Sequence, residues 1–263
     1  MTPVSVTEGA GPLILGLPHA GTWVPPAIGA KLNAEGRKLA DADWHIDTFY
    51  HGLAPDLTVV RANFHRYVID ANRDPSGATL YPGQNTTGLV PETDFDGRPI
   101  WDAPVTRAEI EDRRQRFHAP YHAALTAQIE RVRARHGVAI LYDCHSIRSR
   151  IPHLFDGVLP DFNIGTNGGT TCATSIENAV LGRVEGHSHV LNGRFKGGWT
   201  TRHYGRPEQG WHAIQMELAQ SIYLQAEAPP WHPDPGKVAR MRDVLAGILN
   251  DIIVLAPSLK VIP

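Results

Sequence analysis

Two histidines each follow a short apolar segment, and this placement suits a metal site. His19 comes after Leu13–Leu17 and Pro18, and His145 comes soon after Val138–Tyr142. Ligands of open α/β sheets bind outside the carboxyl ends of the strands, so both imidazoles are expected near one edge of a sheet. A catalytic zinc needs three nitrogen or oxygen ligands and an open fourth position. Either histidine alone could simply cap backbone groups at a strand end, so the metal hypothesis depends on the pair.

The sequence also offers carboxylates for such a site. Asp41, Asp43 and Asp47 crowd around His45, and a carboxylate of this kind would complete the ligand set. Glu217 lies in an otherwise apolar predicted strand, where a carboxylate is costly to bury unless it is paired. Glu217 is therefore either a strand residue that faces solvent or a general base. In the second case it would activate water at the metal and then protonate a leaving amine.

Arginines near the predicted strand ends indicate what the site could bind. Arg66 and Arg73 bracket the segment 67–72, and Arg148 and Arg202 follow later in the chain. A guanidinium group binds a carboxylate through two parallel hydrogen bonds, so several arginines would suit a small dianionic substrate. Solvated surface arginines are the alternative interpretation.

Motifs exclude several common active sites and weaken others. The chain has no G-x-x-x-x-G-K-[ST] phosphate loop, no G-x-G-x-x-G after a strand, no G-x-S-x-G elbow and no H-E-x-x-H helix. Cys144 precedes His145, but adjacent strand residues point to opposite faces, which favours a buried structural cysteine over a nucleophile. His118 and His122 have the i,i+4 spacing of some metal ligands. Because Pro120 lies between them and their face is otherwise charged, we interpret them as a solvated surface pair.

Short apolar runs that alternate with helical periods predict an α/β fold. Strands are predicted at 13–17, 57–60, 67–70, 138–142, 188–191 and 213–218. Helices are predicted at 106–136 with a kink at Pro120, at 172–184, and at the carboxyl end through 238–252. The segment Asp74–Pro104 has no periodicity and is expected to shape or cover the pocket. No repeat divides the chain, so residues 1–263 are expected to form a single domain.

Composition narrows the class of protein. The 263 residues carry 25 basic and 27 acidic side chains, a net charge of −2. Nucleic-acid and membrane-surface proteins usually carry a basic excess, so we expect neither partner. Two cysteines cannot make a disulfide framework, and the first residues lack the basic start and apolar stretch of a signal peptide. A cytoplasmic location is expected, whereas the oligomeric state is left open.

Taken in order, a set of short motifs resembles a known family. The motifs are Pro18-His19-Ala20-Gly21, the cluster from Asp43 to Asp47, Asn72-Arg73-Asp74, Asp143-Cys144-His145-Ser146, Thr201-Arg202-His203-Tyr204-Gly205 and Gln215-Met216-Glu217-Leu218. From about Leu13 to Leu224 the chain resembles the N-formylglutamate amidohydrolases. The resemblance implies a zinc-carboxypeptidase-like (phosphorylase/hydrolase-like) α/β fold, with a mixed, mostly parallel sheet flanked by helices. It also implies hydrolysis of N-formyl-L-glutamate to glutamate and formate, the closing step of one histidine-degradation route.

The resemblance also assigns the metal site. His19, Asp47 and His145 are implied as ligands, with Asp47 preferred to Asp43. The wider carboxypeptidase-like group ligates through His-x-x-Glu, but Thr22 stands at the last of these positions here, so the carboxylate must come from elsewhere. The metal is a divalent ion, with Zn²⁺ as first choice and Co²⁺, Fe²⁺ or Mn²⁺ as alternatives.

Roles for the remaining residues follow from the same resemblance. Glu217 is implied as the base, and Asn72 with Arg73 as the clamp for a substrate carboxylate. Arg202 is a second candidate for that clamp. For the mechanism, our own expectation is that Arg66 or His203 stabilises the oxyanion.

Two other functions remain open. The same site could serve another N-acyl amino acid amidohydrolase or a small zinc carboxypeptidase. A non-catalytic metal- or ligand-binding module is the second alternative, and the intact Glu217 beside two strand-end histidines argues against it.

Overall fold

One seven-stranded sheet forms the centre of the computed structural model, which describes residues 1–79 and 83–260. The strands are β1 (Val4–Thr7), β2 (Leu13–Leu17), β3 (Thr58–Ala62), β4 (Ala139–Ile147), β5 (Phe162–Gly165), β6 (His189–Leu191) and β7 (Trp211–Ala219). The α-helices are α1 (Pro26–Gly29), α2 (Ile46–Tyr50), α3 (Arg107–Arg113), α4 (Ala119–His136), α5 (Thr174–Val184), α6 (Trp199–Tyr204) and α7 (Pro235–Leu255). Within the described ranges, no helix combines the length and the apolar character that a membrane span requires.

The sheet is mixed and mostly parallel, which confirms the expected α/β fold. Its strand order is β1-β3-β2-β4-β7-β5-β6. The four neighbours β3, β2, β4 and β7 run parallel, whereas β1 is antiparallel to β3 and β5 is antiparallel to β7. Since parallel strands end at the same edge of a sheet, the carboxyl ends of β2, β4 and β7 come together there.

Two apolar clusters cover the two faces of the sheet. Leu13 and Leu15 of β2 pack in the cluster that contains the buried side chains of α5 and α7. Ile14, which points to the other face, packs in the cluster that contains Tyr121 and Leu125 of α4. Burial on both faces explains why β2 has a continuous apolar sequence instead of an alternating one.

The segment 67–70 is a turn, so the strand predicted there is wrong. Val68 and Ile69 are fully buried, which gave the segment the composition of a strand. However, the amide of Val68 donates to the carbonyl oxygen of His65 at 2.9 Å, and the amide of Asp70 donates to that of Leu89 at 2.8 Å. The backbone therefore bonds within turns and loops and has no partner in the sheet among the described residues.

Strand β4 continues to Ile147, beyond the predicted end at Tyr142. His145 consequently lies within β4 and pairs in register with Glu217 of β7. Asp143 and His145 are two positions apart in this strand, so their side chains share one face.

The predicted helix at 106–136 is interrupted. Thr106 and Glu109 form the expected capping box at the start of α3. A π-helical turn, Arg114–His118, then joins α3 to α4, which carries Pro120 in its first turn and ends at Gly137 in the left-handed conformation. This turn places His118 and His122 side by side, with ring centroids 4.4 Å apart.

Candidate metal centre and substrate cavity

Three buried side chains converge where β2 and β4 approach their carboxyl ends. His19, Asp43 and His145 are 3, 2 and 2% exposed, and one potential ligand atom from each lies within 4.8 Å of the other two. The two Nδ1 atoms are 3.2 Å apart, and Oδ2 of Asp43 lies 3.2 Å from Nδ1 of His145 and 3.7 Å from Nδ1 of His19. Two imidazole nitrogens and a carboxylate form a donor set that suits zinc and related divalent ions.

Backbone contacts hold Asp43 between the histidines. The amide of Asp43 donates to the carbonyl oxygen of His19 at 3.1 Å. The amide of Ser146, next to His145, donates to Oδ2 of Asp43 at 3.2 Å. Burial alone would raise the pKa of Asp43, but hydrogen bonds with His145 and His19 hold it well below its ordinary value, so the carboxylate is ionised.

A second carboxylate lies behind each imidazole. Nε2 of His19 donates to Oδ1 of Asp70 at 2.7 Å, and Oδ2 of Asp143 lies 3.1 Å from Nε2 of His145. These carboxylates would keep a proton on Nε2 of each ring, so that Nδ1 of each ring could give up its contact with Asp43 and bind a metal ion instead. Metal-ligating histidines almost always have such an outer partner on the other ring nitrogen, so the arrangement fits a metal centre.

The carboxylate in this cluster is Asp43, and the structure does not bring Asp47 to the histidines. His45 adopts a left-handed conformation (φ 62°) just before α2, so the backbone changes direction between Asp43 and Asp47. Oδ2 of Asp47 instead lies 3.0 Å from Nη2 of Arg61, and both side chains are about one-third exposed. This corrects the preference for Asp47 over Asp43.

The charged side chain of Arg66 contacts two of the candidate metal ligands, His19 and Asp43. Its guanidinium donates to Nδ1 of His19 and lies 3.5 Å from Oδ1 of Asp43. Arg66 is 7% exposed and lines the cavity beside the cluster.

Glu217 is buried, which excludes the interpretation of a strand residue facing solvent. It is 7% exposed and lines the same cavity as His19 and His145. Burial, the largest influence, raises the pKa of Glu217 to about 8, although His145 opposes this shift. Its carboxylate accepts a hydrogen bond from Nε2 of Gln215 at 3.4 Å.

Two further arginines, Arg73 and Arg194, line the cavity. Arg73 donates to the carbonyl and hydroxyl oxygens of Thr87 at 2.9 and 3.0 Å, and Nη2 of Arg194 donates to the carbonyl oxygen of Asn85 at 2.8 Å. The short segment 85–87 thus contacts both guanidinium groups. It belongs to the predicted loop Asp74–Pro104, whose residues 80–82 lie outside the described residues.

Three of the arginine and histidine candidates lie elsewhere. Arg148 pairs with Asp96 at 2.9 Å. Nε of Arg202 donates to the carbonyl oxygen of Gly197 at 2.9 Å, and the exposed His203 stacks on Trp199 with ring centroids 4.2 Å apart. In the described part of the chain, the cavity lining includes neither Arg202 nor His203.

Asn72 completes the site. Its Nδ2 lies 3.1 Å from Nε2 of His145, and its Oδ1 accepts from the amide of Thr200 at 2.8 Å. Asn72 and Arg73 both line the cavity, as the clamp hypothesis requires.

Sequence reasoning gave no role to Asp70, Asp143 or Arg194. Asp143 could have been found, because it lies two residues before His145 in a strand and therefore shares its face. Asp70 was missed because the segment 67–70 was predicted to be a strand, which gave its last residue no reason to lie beside His19. Arg194 has no signal in the local sequence, since its place in the cavity depends on contacts with the distant Asn85 and Leu154.

Comparison with known proteins agrees with these features. The family model for N-formylglutamate amidohydrolase matches residues 11–224. The N-formylglutamate deformylase of Pseudomonas aeruginosa is 45% identical over 258 residues, covering 94% of this chain and 96% of that protein. The N-formylglutamate deformylase of Pseudomonas putida is 45% identical over 233 residues, covering 86% of each.

Solved structures share the fold. The crystal structure of N-formylglutamate amidohydrolase from Ralstonia eutropha has a TM-score of 0.79 and 28% identity, covering 96% of this chain and 98% of that one. A gene product of Agrobacterium tumefaciens has a TM-score of 0.74 at 18% identity, covering 97% and 96% of the two chains, and shows the fold alone. The chain therefore belongs to the N-formylglutamate amidohydrolase family.

Proposed function

We propose that this protein hydrolyses N-formyl-L-glutamate to L-glutamate and formate, using a divalent metal ion held by His19, Asp43 and His145. The observation that carries the proposal is the position of Glu217, a buried carboxylate in register with His145 inside a cavity lined by arginines. The names of the Pseudomonas relatives support the same substrate.

Zinc is the first choice for the ion, with cobalt, iron and manganese as alternatives that the same nitrogen and oxygen donors accept. Such an ion supplies Lewis acidity, which makes water a stronger acid and polarises the formyl carbonyl. His19 and His145 supply Nδ1, and Asp43 supplies carboxylate oxygen. Asp70 and Asp143 keep the two imidazoles oriented.

Glu217 is the group proposed to move protons. It takes one proton from the attacking water, so that hydroxide adds to the formyl carbon. It then gives this proton to the amide nitrogen as the carbon–nitrogen bond breaks and glutamate leaves. A carboxyl group whose pKa burial raises to about 8 is suited to both transfers near neutral pH.

Arg66 is proposed to stabilise the oxyanion that develops on the formyl oxygen. Its guanidinium is buried beside His19 and Asp43. Its bond to Nδ1 of His19 would be released when that nitrogen binds the metal, which would leave an N–H group for the formyl oxygen. Because His203 does not line the cavity in the described part of the chain, Arg66 is preferred for this role.

Recognition of the glutamate part is assigned to Asn72, Arg73 and Arg194. N-formylglutamate carries two carboxylates, and a formyl group is too small to supply much binding energy. Arg73 and Arg194 both bond to the segment 85–87, so one stretch of loop orients both guanidinium groups. We propose that each binds one carboxylate.

The test is a substrate panel on protein depleted of metal and reloaded separately with zinc, cobalt, iron or manganese. Release of formate or acetate is measured from N-formyl-L-glutamate, N-formyl-L-glutamine and N-acetyl-L-glutamate, and glutamate release from a dipeptide. We expect kcat/KM for N-formyl-L-glutamate to exceed that for the glutamine analogue at least 100-fold. The analogue lacks the side-chain carboxylate, so one of the two arginines would be left without its partner. Faster turnover of another N-acyl compound or of the dipeptide would favour the alternative enzymes, and turnover of nothing would favour a binding module.

A place in histidine degradation and in the cytoplasm is part of the same proposal. Cys144 and Cys172 are both free and buried, which suits a reducing compartment.

A further inference from the structure

We propose that His118 and His122 are positioning residues that hold Asn72 and Arg73 in the cavity. The inference rests on the proposed function to the extent that Asn72 and Arg73 bind a substrate carboxylate. Neither histidine touches the candidate metal ligands, and their sequence suggested a solvated pair. The structure instead buries both, with exposures of 2% for His118 and 8% for His122.

The two imidazoles bond to the backbone on either side of Asn72. Nε2 of His118 lies 2.9 Å from the carbonyl oxygen of Arg73, and Nε2 of His122 lies 2.8 Å from that of Ala71. A carbonyl oxygen can only accept, so each Nε2 must carry the proton and donate. The pair therefore fixes both carbonyls that flank Asn72 from a single turn of helix.

The structure accounts for the i,i+4 spacing without a metal ion. Both Nε2 atoms donate to backbone carbonyl groups, and Nδ1 of His122 lies 3.1 Å from the hydroxyl of Tyr204. Among the described residues, the group of side chains that could hold a metal ion includes neither histidine. Burial lowers the pKa of both imidazoles, which keeps them neutral, with one N–H each. Trp199 packs against His122, with ring centroids 4.5 Å apart, and closes the cluster on the side of α6.

The side chain of Asn72 leaves little room for movement of this segment. Its Oδ1 accepts from the amide of Thr200 at 2.8 Å, and a Cβ at Gly198 would lie 2.3 Å from its Nδ2. Asn72 is thus confined between α6 and the backbone that the histidines hold. A shift of residues 71–73 would move the Arg73 guanidinium and the Asn72 amide together. Glu217 and the candidate metal ligands belong to other segments, but Asn72 contacts His145 and Asp70, so metal content shows whether the shift also reaches the metal site.

The expected consequence is a loss of substrate binding without a comparable loss of chemistry. Removing interactions that are made equally in the ground state and the transition state raises KM and leaves kcat unchanged. His118→Phe and His122→Phe keep an aromatic ring against Trp199 but donate no hydrogen bond. His118→Gln and His122→Gln retain a side-chain N–H that can reach the same carbonyl.

His136 offers a matched control on the same helix. Its Nε2 bonds to the carbonyl oxygen of Ala10 at 2.8 Å, and it does not line the cavity. His136→Phe therefore removes the same kind of hydrogen bond at a place that has no connection to Asn72.

The experiment measures KM and kcat for N-formyl-L-glutamate, metal content and thermal unfolding of all five variants and the unaltered protein. We expect the Phe variants at 118 and 122 to raise KM at least 10-fold, with kcat within 3-fold and metal content unchanged. The Gln variants should recover most of the KM, and His136→Phe should not change it. Two independent positions keep the test usable if one Phe variant does not fold.

Two other results would overturn the inference in distinguishable ways. A KM that stays within 2-fold in both Phe variants, or that rises equally in His136→Phe, would leave the pair with a structural role only. If the unaltered, metal-loaded protein released no formate, the proposed function would fail, and the assigned role of the pair with it.

Discussion

Asp43 and Asp47 are four positions apart in the sequence, and the structure predicts a large effect of substitution at Asp43 and a small one at Asp47. Asp43 is 2% exposed and faces His145 at 3.2 Å and Arg66 at 3.5 Å. Removing one partner from a buried set of charges costs about 3–5 kcal/mol. The pair formed by Asp47 and Arg61 is about one-third exposed, and such pairs contribute less than about 1 kcal/mol.

The two variants, Asp43→Asn and Asp47→Asn, are compared in two assays. Urea unfolding of the metal-free proteins should show a loss of about 3 kcal/mol or more for the first and less than about 1 kcal/mol for the second. Metal affinity should fall by more than about 100-fold for Asp43→Asn, since loss of an outer partner alone costs about 10–100-fold. Asp47→Asn should retain its metal. If Asp47→Asn lost the metal while Asp43→Asn kept it, the assignment of the carboxylate ligand would be refuted.

Three further predictions concern the surroundings of the site. Asp70→Asn removes the charge behind His19 and should weaken metal binding about 10–100-fold, measured by competition with a chelator; unchanged affinity would contradict the outer-partner role. Burial lowers the pKa of His65 to about 3. Below its ordinary pKa of 6.5 the unfolded chain therefore binds a proton that the folded chain excludes, and the stability of the fold decreases as the pH is lowered. By pH 5 this loss of stability is about 2 kcal/mol. Between pH 7.5 and 5, the free energy of unfolding in urea should therefore decrease by about 2 kcal/mol less in His65→Asn than in the unaltered protein. Equal decreases in the two proteins would show that His65 is protonated in the folded state. Gly21→Ala would place a Cβ 2.3 Å from a backbone carbon and should cost at least about 2 kcal/mol, whereas Gly182→Ala in α5 meets nothing within 4 Å and should stabilise, so equal melting temperatures would oppose both expectations.

The sequence predicted the strands well where buried positions follow a regular pattern. Strands β2, β4 and β7 have continuous apolar runs because both of their faces are covered, and this pattern located His19, His145 and Glu217 near the ends of three neighbouring strands. The order of the strands, however, depends on contacts between distant parts of the chain. No local pattern indicates that His145 and Glu217 pair in register.

The choice between Asp43 and Asp47 depended on irregular backbone. The segment between β2 and α2 has no period, and His45, which lies between the two carboxylates, adopts a left-handed conformation. Residues other than glycine adopt that conformation infrequently, so sequence alone gave no reason to expect it.

His118 and His122 show a different limit. Polar residues on a helix usually face solvent, and that rule predicted an exposed pair. The rule fails here because the turn at 71–73, more than forty positions earlier, packs its carbonyl groups on this face and needs donors. Hydrogen bonds between a helix and a distant loop are not predicted by the local sequence of either segment.

The most direct test of the proposed function is formate release by Glu217→Gln, with bound metal measured in the same sample. The unaltered, zinc-loaded protein is expected to release formate and glutamate in equal amounts from N-formyl-L-glutamate. Glu217→Gln should retain the metal and lose at least about 100-fold in kcat, because an amide cannot accept the proton from water. A kcat close to that of the unaltered protein, with metal bound, would contradict the assignment of Glu217 as the base.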